Sequence, residues 1–309
     1  MIHAYPEFIG KYPQTQKNKP LAPLTTLKVG GEADLFLELT ETEQLPEIMQ
    51  TADELQIPVF IFGGGSNIVF SEDGFRGLVI QLKASKIEIK GGEITAEAGA
   101  PVSLIIQTAL QENLSGMENL TGLPGTIGGA VRGNAGAFGT EIKDILKEAV
   151  IYNETNGIHR VSKDYFNFGY RTSKVKQEKG RDIILKVTLT LTPKSPQELQ
   201  QIKEKTAEII KSRAGKQPSG KTSGSLFKNP GPELAAGYLL DQCGCKGLQM
   251  GRVQVSAQHA NWIINLGDAT QTDVMELAKI MKDKVKNRFN IDLEPEVQFV
   301  SASGYLDIP

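Results

Sequence analysis

Residues 122–139 read GLPGTIGGAVRGNAGAFG, and seven of these eighteen positions are glycine. Average usage of about 7% would place only one or two glycines there. Glycine costs backbone entropy on folding, but it allows positive φ and leaves its amide free of a Cβ, so that a ligand can approach closely. Successive bare amides form concave sites that suit a pyrophosphate. A flexible linker is the alternative, but linkers are polar and rich in serine, whereas Leu123, Ile127, Val131 and Phe138 interrupt this run. The run is therefore interpreted as packed backbone that holds a ligand.

A shorter glycine loop, Gly-Gly-Gly-Ser-Asn at 63–67, comes earlier in the chain. It follows the apolar run Val-Phe-Ile-Phe at 59–62, which is typical of a buried strand. The three glycines free successive amides, and Ser66 and Asn67 add side-chain donors. Taken alone, the loop is explained equally well as a tight turn. Together with the longer run it favours two loops that grip one diphosphate.

Length and composition indicate an ordinary globular protein. The chain has 309 residues, 39% hydrophobic residues, 23% charged residues and a formal net charge of −2. This balance gives no reason to expect a nucleic-acid, membrane or obligate protein partner. No apolar stretch approaches the roughly 18 residues of a membrane span, and the first residues lack the pattern of a signal peptide. Cys243 and Cys245 are too close for a disulfide and have no nearby histidine, so we expect reduced thiols, no metal site and a cytoplasmic location.

Periodicity along the chain predicts a mixture of helices and strands, and hence the α+β class. Strands are expected at 35–39, 59–62, 78–82, 87–97, 149–152, 183–191 and 291–300. Helices are expected at 45–52, where Thr40 and Glu43 would form a capping box, and at 101–112, 195–212 and 270–285. Ser195-Pro196-Gln197-Glu198 combines a capping serine with proline at the first helical position, and it is the best candidate for a domain boundary. This predicts an N-terminal extended arm at 1–24, one domain at 25–194 and a second at 195–309.

Residues 215–222, GKQPSGKT, match the triphosphate-binding loop G-x-x-x-x-G-K-[ST] letter by letter. That motif needs a buried strand before it and a helix after it, whereas a helix is predicted before it here. Pro218 also removes one of the amides that would hold phosphate. An ATPase that uses Lys221 is therefore disfavoured. The G-x-G-x-x-G fingerprint is absent from the sequence, which argues against a Rossmann domain.

Four polar residues stand in positions that leave two interpretations open. Ser225 is either a turn residue or a nucleophile, but the sequence suggests no histidine and acid that would complete a catalytic triad with it. His259 fits either a place in the core or a role in hydrogen bonding. Glu296 follows a proline in an apolar stretch and is either exposed at a sheet edge or directed inward. Arg171 is either part of a surface ion pair or a clamp for an anion.

Five segments in order carry a resemblance to a known family: Gly-Gly-Gly-Ser-Asn at 63–67, Gly-Leu-Pro-Gly-Thr-Ile-Gly-Gly-Ala at 122–130, Asn-Ala-Gly-Ala at 134–137, Tyr-Arg-Thr-Ser at 170–173 and Gly-Ser-Leu-Phe-Lys-Asn-Pro at 224–230. The chain resembles the UDP-N-acetylenolpyruvoylglucosamine reductases, flavoenzymes of bacterial peptidoglycan synthesis, from Thr26 to Val297. The resemblance implies an FAD-binding domain of the vanillyl-alcohol oxidase type, built from two subdomains, at 25–194. It also implies an α+β substrate domain at 195–309.

The resemblance also implies the cofactors and the residues that hold them. FAD is expected to bind without a covalent link, and NADPH to deliver the hydride. The residues expected to contact FAD are Gly63, Gly64, Gly65, Ser66, Asn67, Gly122, Pro124, Gly125, Thr126, Ile127, Gly128, Gly129, Asn134, Ala135 and Gly136. A flavin oxidase of the same fold, acting on another substrate, is the alternative.

Three catalytic roles follow from the same resemblance. Arg171 would stabilise negative charge that develops on the substrate carboxylate, and Ser225 would donate a proton to C2 of the enolpyruvyl group. Glu296 would work with Arg171 to activate the substrate, which requires that its carboxyl group carry or share a proton. The residues expected to bind the UDP-sugar are Tyr170, Lys216 and Asn229. The chain has Arg-Gly-Asn-Ala-Gly at 132–136 where the family usually has Met-Asn-Ala-Gly, and the sequence does not explain the charge of Arg132.

Overall fold

The computed structural model describes residues 4–178 and 182–306, apart from the side chains of Ala214 and Lys216. The chain divides into two compact units, each made of three segments that alternate along the sequence. The first unit contains the chain up to Thr15, Leu37–Gly64 and Val79–Arg213. The second unit contains Gln16–Phe36, Gly65–Leu78 and the chain from Ala214 onward. The predicted domains at 25–194 and 195–309 are continuous segments and differ from this division.

The helices in the described part of the chain are α1 (Ala4–Lys11), α2 (Leu45–Glu54), α3 (Val102–Gln111), α4 (Ile127–Arg132), α5 (Ile142–Ile145), α6 (Lys174–Gln177), α7 (Pro196–Lys216), α8 (Ala236–Gln242) and α9 (Gln271–Phe289).

The strands there are β1 (Gln16–Pro20), β2 (Glu32–Leu39), β3 (Val59–Phe62), β4 (Ile68–Phe70), β5 (Phe75–Leu82), β6 (Ile87–Lys90), β7 (Glu93–Glu97), β8 (Leu114–Ser115), β9 (Gly136–Ala137), β10 (Thr140–Glu141), β11 (Leu146–Asn153), β12 (Gly157–Ser162), β13 (Ile183–Thr190), β14 (Thr192–Pro193), β15 (Gln249–Met250), β16 (Val253–Val255), β17 (Ile263–Asn265), β18 (Gln298–Ser301) and β19 (Gly304–Leu306). The expected α+β class is confirmed.

An antiparallel sheet in the order β12-β11-β13-β7-β6 forms the frame of the first unit. Its central strand β13 is buried along nearly its whole length, which explains the apolar sequence at 183–189. Helix α4, from the glycine run, packs on β13 and β7. Gly128 allows this close approach, because a Cβ at this position would lie 2.7 Å from the Cβ of Ala98. The sheet therefore fixes the position of the glycine run.

The second unit is built on two small sheets and two helices. Strands β15, β16 and β17 form an antiparallel sheet, and β18 pairs with β19 antiparallel and with β4 parallel. Helix α9 packs on β15 and β16. Its buried face consists of Gln271, Val274, Leu277, Ala278, Met281 and Val285. Both cysteines belong to this unit as free thiols, and burial raises the pKa of Cys245 to about 11.

The two helices with the clearest start signals are confirmed. Helix α7 begins directly after Ser195, whose amide and hydroxyl both donate to the carboxylate of Glu198 at 2.9 and 2.7 Å. These hydrogen bonds hold the pKa of Glu198 at about 2. Helix α9 begins after Thr270, which exchanges two 3.0 Å bonds with Asp273 in a capping box.

Other expectations need correction. The N-terminal segment is not an extended arm, since it contains α1 and β1. The expected strand at 87–97 is a hairpin of β6 and β7, which turns at Gly91 with a φ of +62°. Helix α2 follows a 3-10 turn and has Gln44 as its N-cap without a side-chain bond, so the predicted capping box of Thr40 and Glu43 does not form.

The expected strand at 291–300 is also wrong over most of its length, because only β18 at its end is a strand. Pro295 has no N–H to give to a sheet. The backbone around it pairs instead with the segment that carries Ser225, through bonds from Lys228 N to Glu294 O and from Glu296 N to Leu226 O. Glu296 is thus positioned by a local backbone pairing.

Candidate active site

In the first unit, the two glycine loops pack directly against each other. A Cβ at Gly63 would lie 2.3 Å from Oγ1 of Thr126, and one at Gly64 would lie 2.8 Å from Cα of Gly125. Both distances are too short for any side chain. The carbonyl of Gly63 is held by a 2.9 Å bond from Nε2 of Gln81 on β5. The structure therefore brings together the two loops that the sequence predicted to act as a pair.

The longer loop is anchored near its start to residues 98–102. The amide of Val102 donates to Gly125 O at 3.1 Å, and the amide of Ile127 donates to Ala100 O at 2.9 Å. Gly122 and Gly125 have φ values of +82° and +101°, which other residues adopt only with strain. The glycines in this loop thus serve turn geometry and close packing.

Several polar atoms beside these loops are buried without a partner. Among the described residues these include the hydroxyls of Thr121 and Thr126, and Oε1 of Gln81. Buried polar groups in folded proteins are nearly always hydrogen-bonded, so their grouping around two bare glycine loops fits a region built for a polar ligand. The amide of Gln81 was not anticipated from the sequence, because nothing in an apolar strand singles it out.

The end of the shorter loop belongs to the second unit and is fixed there by other contacts. Gly65 has a φ of +65°, and its carbonyl accepts from the amide of Thr26 at 3.2 Å. Nδ2 of Asn67 donates to the carbonyl of Glu296 at 3.0 Å, and Asn67 O accepts from Gln298 N at 3.0 Å. Asn67, predicted to contact FAD, is therefore a direct neighbour of the predicted catalytic acid within this unit.

Ser225 and Glu296 lie on paired segments of the second unit. Ser225 bridges to Trp262, and the next residue, Leu226, accepts from the amide of Glu296 at 2.8 Å. Phe227 in turn bridges to Pro295. Residues that are about seventy positions apart in the sequence thus share one short backbone ladder, and their catalytic roles stay predictions.

Arg171 belongs to the first unit and has a strained backbone. Its φ of +53° lies in the left-handed region, which is uncommon for arginine. Nη2 donates to Gly136 O at 2.6 Å, and Nη1 lies 3.8 Å from Oε1 of Glu141. The guanidinium also lies over the ring of Tyr170, 5.0 Å from its centroid. The side chain is thus pointed at the glycine run and is only partly exposed.

A buried amide supports this arrangement. Asn134 is fully buried, and Nδ2 donates to Glu141 at 3.1 Å and to Gly169 O at 2.9 Å. Its Oδ1 accepts from the amide of Lys143 at 3.0 Å. The side chain of Asn134 therefore links the glycine run to the Arg171 turn, while its predicted contact with FAD stays a prediction. No local sequence pattern marks Glu141, which comes close to Arg171 only through the fold.

Ser173 secures the same turn from its other end. It is fully buried, and its hydroxyl donates to the carbonyl of Arg132 at 2.6 Å while accepting from the amide of Lys176. The main chain of Arg132 therefore anchors the turn that carries Arg171.

The predicted substrate-binding residues differ in their surroundings. Tyr170 is exposed, apart from the guanidinium beside it. Asn229 uses Oδ1 to accept from the amide of Ala236 at 3.0 Å, which orients its amide at the start of α8. Lys216 is the last residue of α7, and its side chain lies outside the described residues. Their contacts with a UDP-sugar stay predictions.

Arg213 is a further cation that sequence reasoning did not single out. Its guanidinium stacks on Phe138 at 5.3 Å, and its aliphatic stem is 3.1 Å from the position of a Cβ on Gly122. Nε is buried and unpaired among the described atoms, and burial lowers the pKa of the side chain. A partly buried guanidinium beside a glycine loop, with its Nε unpaired among the described atoms, is a suitable group for binding an anion.

The resemblance of residues 215–222 to a triphosphate loop is not supported by their surroundings. Helix α7 runs to Lys216, and the residues from Gln217 to Thr222 are neither strand nor helix. The strand–loop–helix context of an ATPase is therefore absent from this described segment.

The described residues contain neither a candidate metal site nor a candidate membrane span. No group of three or more His, Cys, Asp or Glu side chains there could hold a metal ion. None of the helices described is both long enough and apolar enough for a membrane span.

Two models of known protein families match segments of the chain that contain the glycine loops and the Ser225–Glu296 ladder. A family model described as an FAD binding domain matches residues 33–162. A second, described as the UDP-N-acetylenolpyruvoylglucosamine reductase C-terminal domain, matches residues 216–300. Together they cover both glycine loops, Ser225, Asn229 and Glu296.

Relatives resemble the chain over nearly its whole length. A UDP-N-acetylenolpyruvoylglucosamine reductase of Desulforamulus reducens is 40% identical over 286 residues, which are 92% of each chain. One of Caldanaerobacter subterraneus subsp. tengcongensis is 38% identical over 285 residues, also 92% of each. The crystal structure of the reductase from Thermus caldophilus matches with a TM-score of 0.75 at 33% identity, and covers 92% of this chain and 97% of that one. The chain belongs to the UDP-N-acetylenolpyruvoylglucosamine reductase family of FAD-dependent oxidoreductases.

Proposed function

We propose that the chain uses NADPH to reduce the enolpyruvyl ether of UDP-N-acetylglucosamine to UDP-N-acetylmuramate, a step of peptidoglycan precursor synthesis. Family membership supports this, and the observation that carries it is the ladder that joins Ser225 to Glu296. A nucleotide-sugar substrate and two free thiols favour a cytoplasmic location.

The residues present fit FAD. The bare glycines at 63–65 and 122–129 would hold its pyrophosphate, and the unpaired hydroxyls beside them would meet its polar groups. Bound without a covalent link, FAD would supply hydride transfer, from NADPH and then to C3 of the substrate. The protein supplies orientation and electrostatics.

Arg171 has the task of charge stabilisation in this proposal. Hydride arrival at C3 pushes negative charge through C2 into the substrate carboxylate. A guanidinium held by Gly136 and Glu141 is already oriented, so that it stabilises this charge without reorganising. Glu296 would hold a proton shared with the substrate carboxylate, because an ionised carboxylate there would repel it.

Ser225 has the task of proton delivery to C2. An alcohol is a weak acid in water, but an enolate carbon is basic enough to take its proton when the hydroxyl is held in line. The backbone bonds around Ser225 on the ladder restrict its position in this way.

An anaerobic titration tests the proposed function. Purified protein loaded with FAD should lose its flavin absorbance with NADPH and regain it when the enolpyruvyl substrate is added. Protein that binds no FAD, or that stays bleached with the substrate, would contradict the proposal. Rapid recovery in air without substrate would instead favour the alternative, a flavin oxidase.

Gly64→Ala tests the role of the packed loops. The new Cβ would meet Gly125 at 2.8 Å, so the loops must separate, and we expect FAD affinity to fall at least tenfold, or about 1.4 kcal/mol. Gly133→Ala is the control, because Gly133 lies in the longer glycine run that Gly64 contacts, has a φ of −92°, and a Cβ there would have its nearest atom 3.5 Å away. Fluorescence titration with FAD measures both. Equal FAD affinity in the two variants would contradict the prediction.

A further inference from the structure

The side chain of Asn261 pairs with the backbone of the Ser225 segment as a neighbouring strand would. Its Nδ2 donates to Phe227 O at 2.8 Å, and its Oδ1 accepts from Phe227 N at 3.0 Å. The main-chain carbonyl of Asn261 accepts from Leu226 N at 2.8 Å. Because a peptide N–H only donates and a peptide C=O only accepts, these contacts fix the orientation of the amide.

This pairing closes one edge of a segment whose other edge is already bound. Residues 225–228 belong to no regular strand, and they bond on one side to 294–296. On the other side, Asn261 and the bridge from Trp262 to Ser225 hold them. Asn261 is only 2% exposed, so water is a poor substitute for its two side-chain bonds.

We propose that Asn261 is a positioning residue, which sets the place of the Ser225 hydroxyl for proton delivery. This inference rests on the proposed function. Loss of the amide frees Phe227, two residues from Ser225, and lets the hydroxyl shift. A displacement of about 1 Å in a reacting group is enough to cost about a hundredfold in rate.

Asn261→Asp is the sharpest variant, since it is nearly the same size. Its neutral carboxyl group can still donate to Phe227 O and accept from Phe227 N, whereas the ionised form cannot donate. We expect the substrate to restore flavin absorbance about tenfold to a hundredfold more slowly at neutral pH. The rate should recover as the pH falls and the new carboxyl group is protonated, because only its neutral form makes both bonds. Bleaching by NADPH should keep the wild-type rate at each pH.

Several native groups beside this segment also titrate. His259 accepts from the amide of Asn261 at 3.2 Å through Nδ1, and burial lowers the pKa of its imidazole. Glu296 and the ion pair of Lys228 with Glu294 lie on the ladder. The wild-type rate, measured in parallel, contains the contributions of these groups, so the rate of the variant is divided by the wild-type rate at each pH.

Asn265→Asp is the matched control. Asn265 is 5% exposed, lies in the same unit, and makes the same kind of bonds, from Nδ2 to Leu27 O and from Gly267 N to Oδ1. It should lose comparable thermal stability without slowing flavin recovery. If Asn261→Asp unfolds, Asn261→Ser is the second variant, and it should show the slow recovery without the rescue at low pH.

The outcomes distinguish failure of this inference from failure of the proposed function. Slow recovery in Asn261→Asp, with rescue at low pH and normal bleaching, supports the inference. The inference is overturned if Asn261→Asp regains flavin absorbance at the wild-type rate, or if bleaching by NADPH is slowed as much as the return of absorbance. This conclusion requires that Ser225→Ala itself regains flavin absorbance slowly. If Ser225→Ala recovers at the wild-type rate, the proposed role of Ser225 fails first, and the inference falls with it.

Discussion

Ser225→Ala is expected to slow recovery of the flavin absorbance by the enolpyruvyl substrate about a thousandfold, while bleaching by NADPH is unchanged. The hydroxyl is needed only when C2 takes its proton, after the hydride from NADPH has been accepted. A well-placed general acid contributes about a hundred- to ten-thousandfold, and a thousandfold equals about 4 kcal/mol of barrier. Stopped-flow absorbance measures the two half-reactions separately.

Ser223→Ala provides the matched control for this prediction. Ser223 lies in the same segment, is nearly buried, and has a hydroxyl without a hydrogen-bond partner among the described residues. Its loss should leave both half-reactions near the wild-type rate. A Ser225→Ala variant that behaves like Ser223→Ala would remove serine from the mechanism.

Arg171→Lys is expected to slow the same half-reaction by about a hundred- to a thousandfold, the usual loss when one group that stabilises developing charge is removed. Lysine keeps the positive charge but not the planar fork that meets Gly136 and Glu141 together.

A control for Arg171 is available on β12. Arg160 forms a surface ion pair with Glu148, and 66% of its side chain is exposed. Exposed pairs contribute little, so Arg160→Lys should leave the kinetics unchanged. Wild-type recovery of the flavin absorbance in Arg171→Lys would show that a localised charge suffices, and would contradict the proposed role of the fork.

Local signals predicted much of the fold. The caps at Ser195 and Thr270 gave two helix starts correctly, because a capping side chain acts within its own turn. The glycine loops were also predictable, since their composition is too costly to occur without a reason. That the two loops act as a pair follows from the idea that both hold one diphosphate, and the close packing of Gly64 against Gly125 supports it.

Other features depend on contacts between distant parts of the chain. Glu296 looked like a strand residue because its neighbours are apolar, but Pro295 prevents a regular ladder and Leu226 supplies the partner. Glu141 and Asn261 have no local pattern that marks them, and each gains its importance from residues thirty or more positions away. The alternation of the two units along the sequence escapes any method that looks for one boundary.

A single-turnover reaction tests the central claim most directly. FAD-loaded protein is reduced with one equivalent of NADPH without oxygen, the enolpyruvyl UDP-sugar is added, and the nucleotide sugar is identified by mass spectrometry. We expect flavin absorbance to return while one molecule of UDP-N-acetylmuramate, heavier than the substrate by two hydrogen atoms, forms for each flavin. Return of the flavin absorbance with the nucleotide sugar unchanged would contradict it.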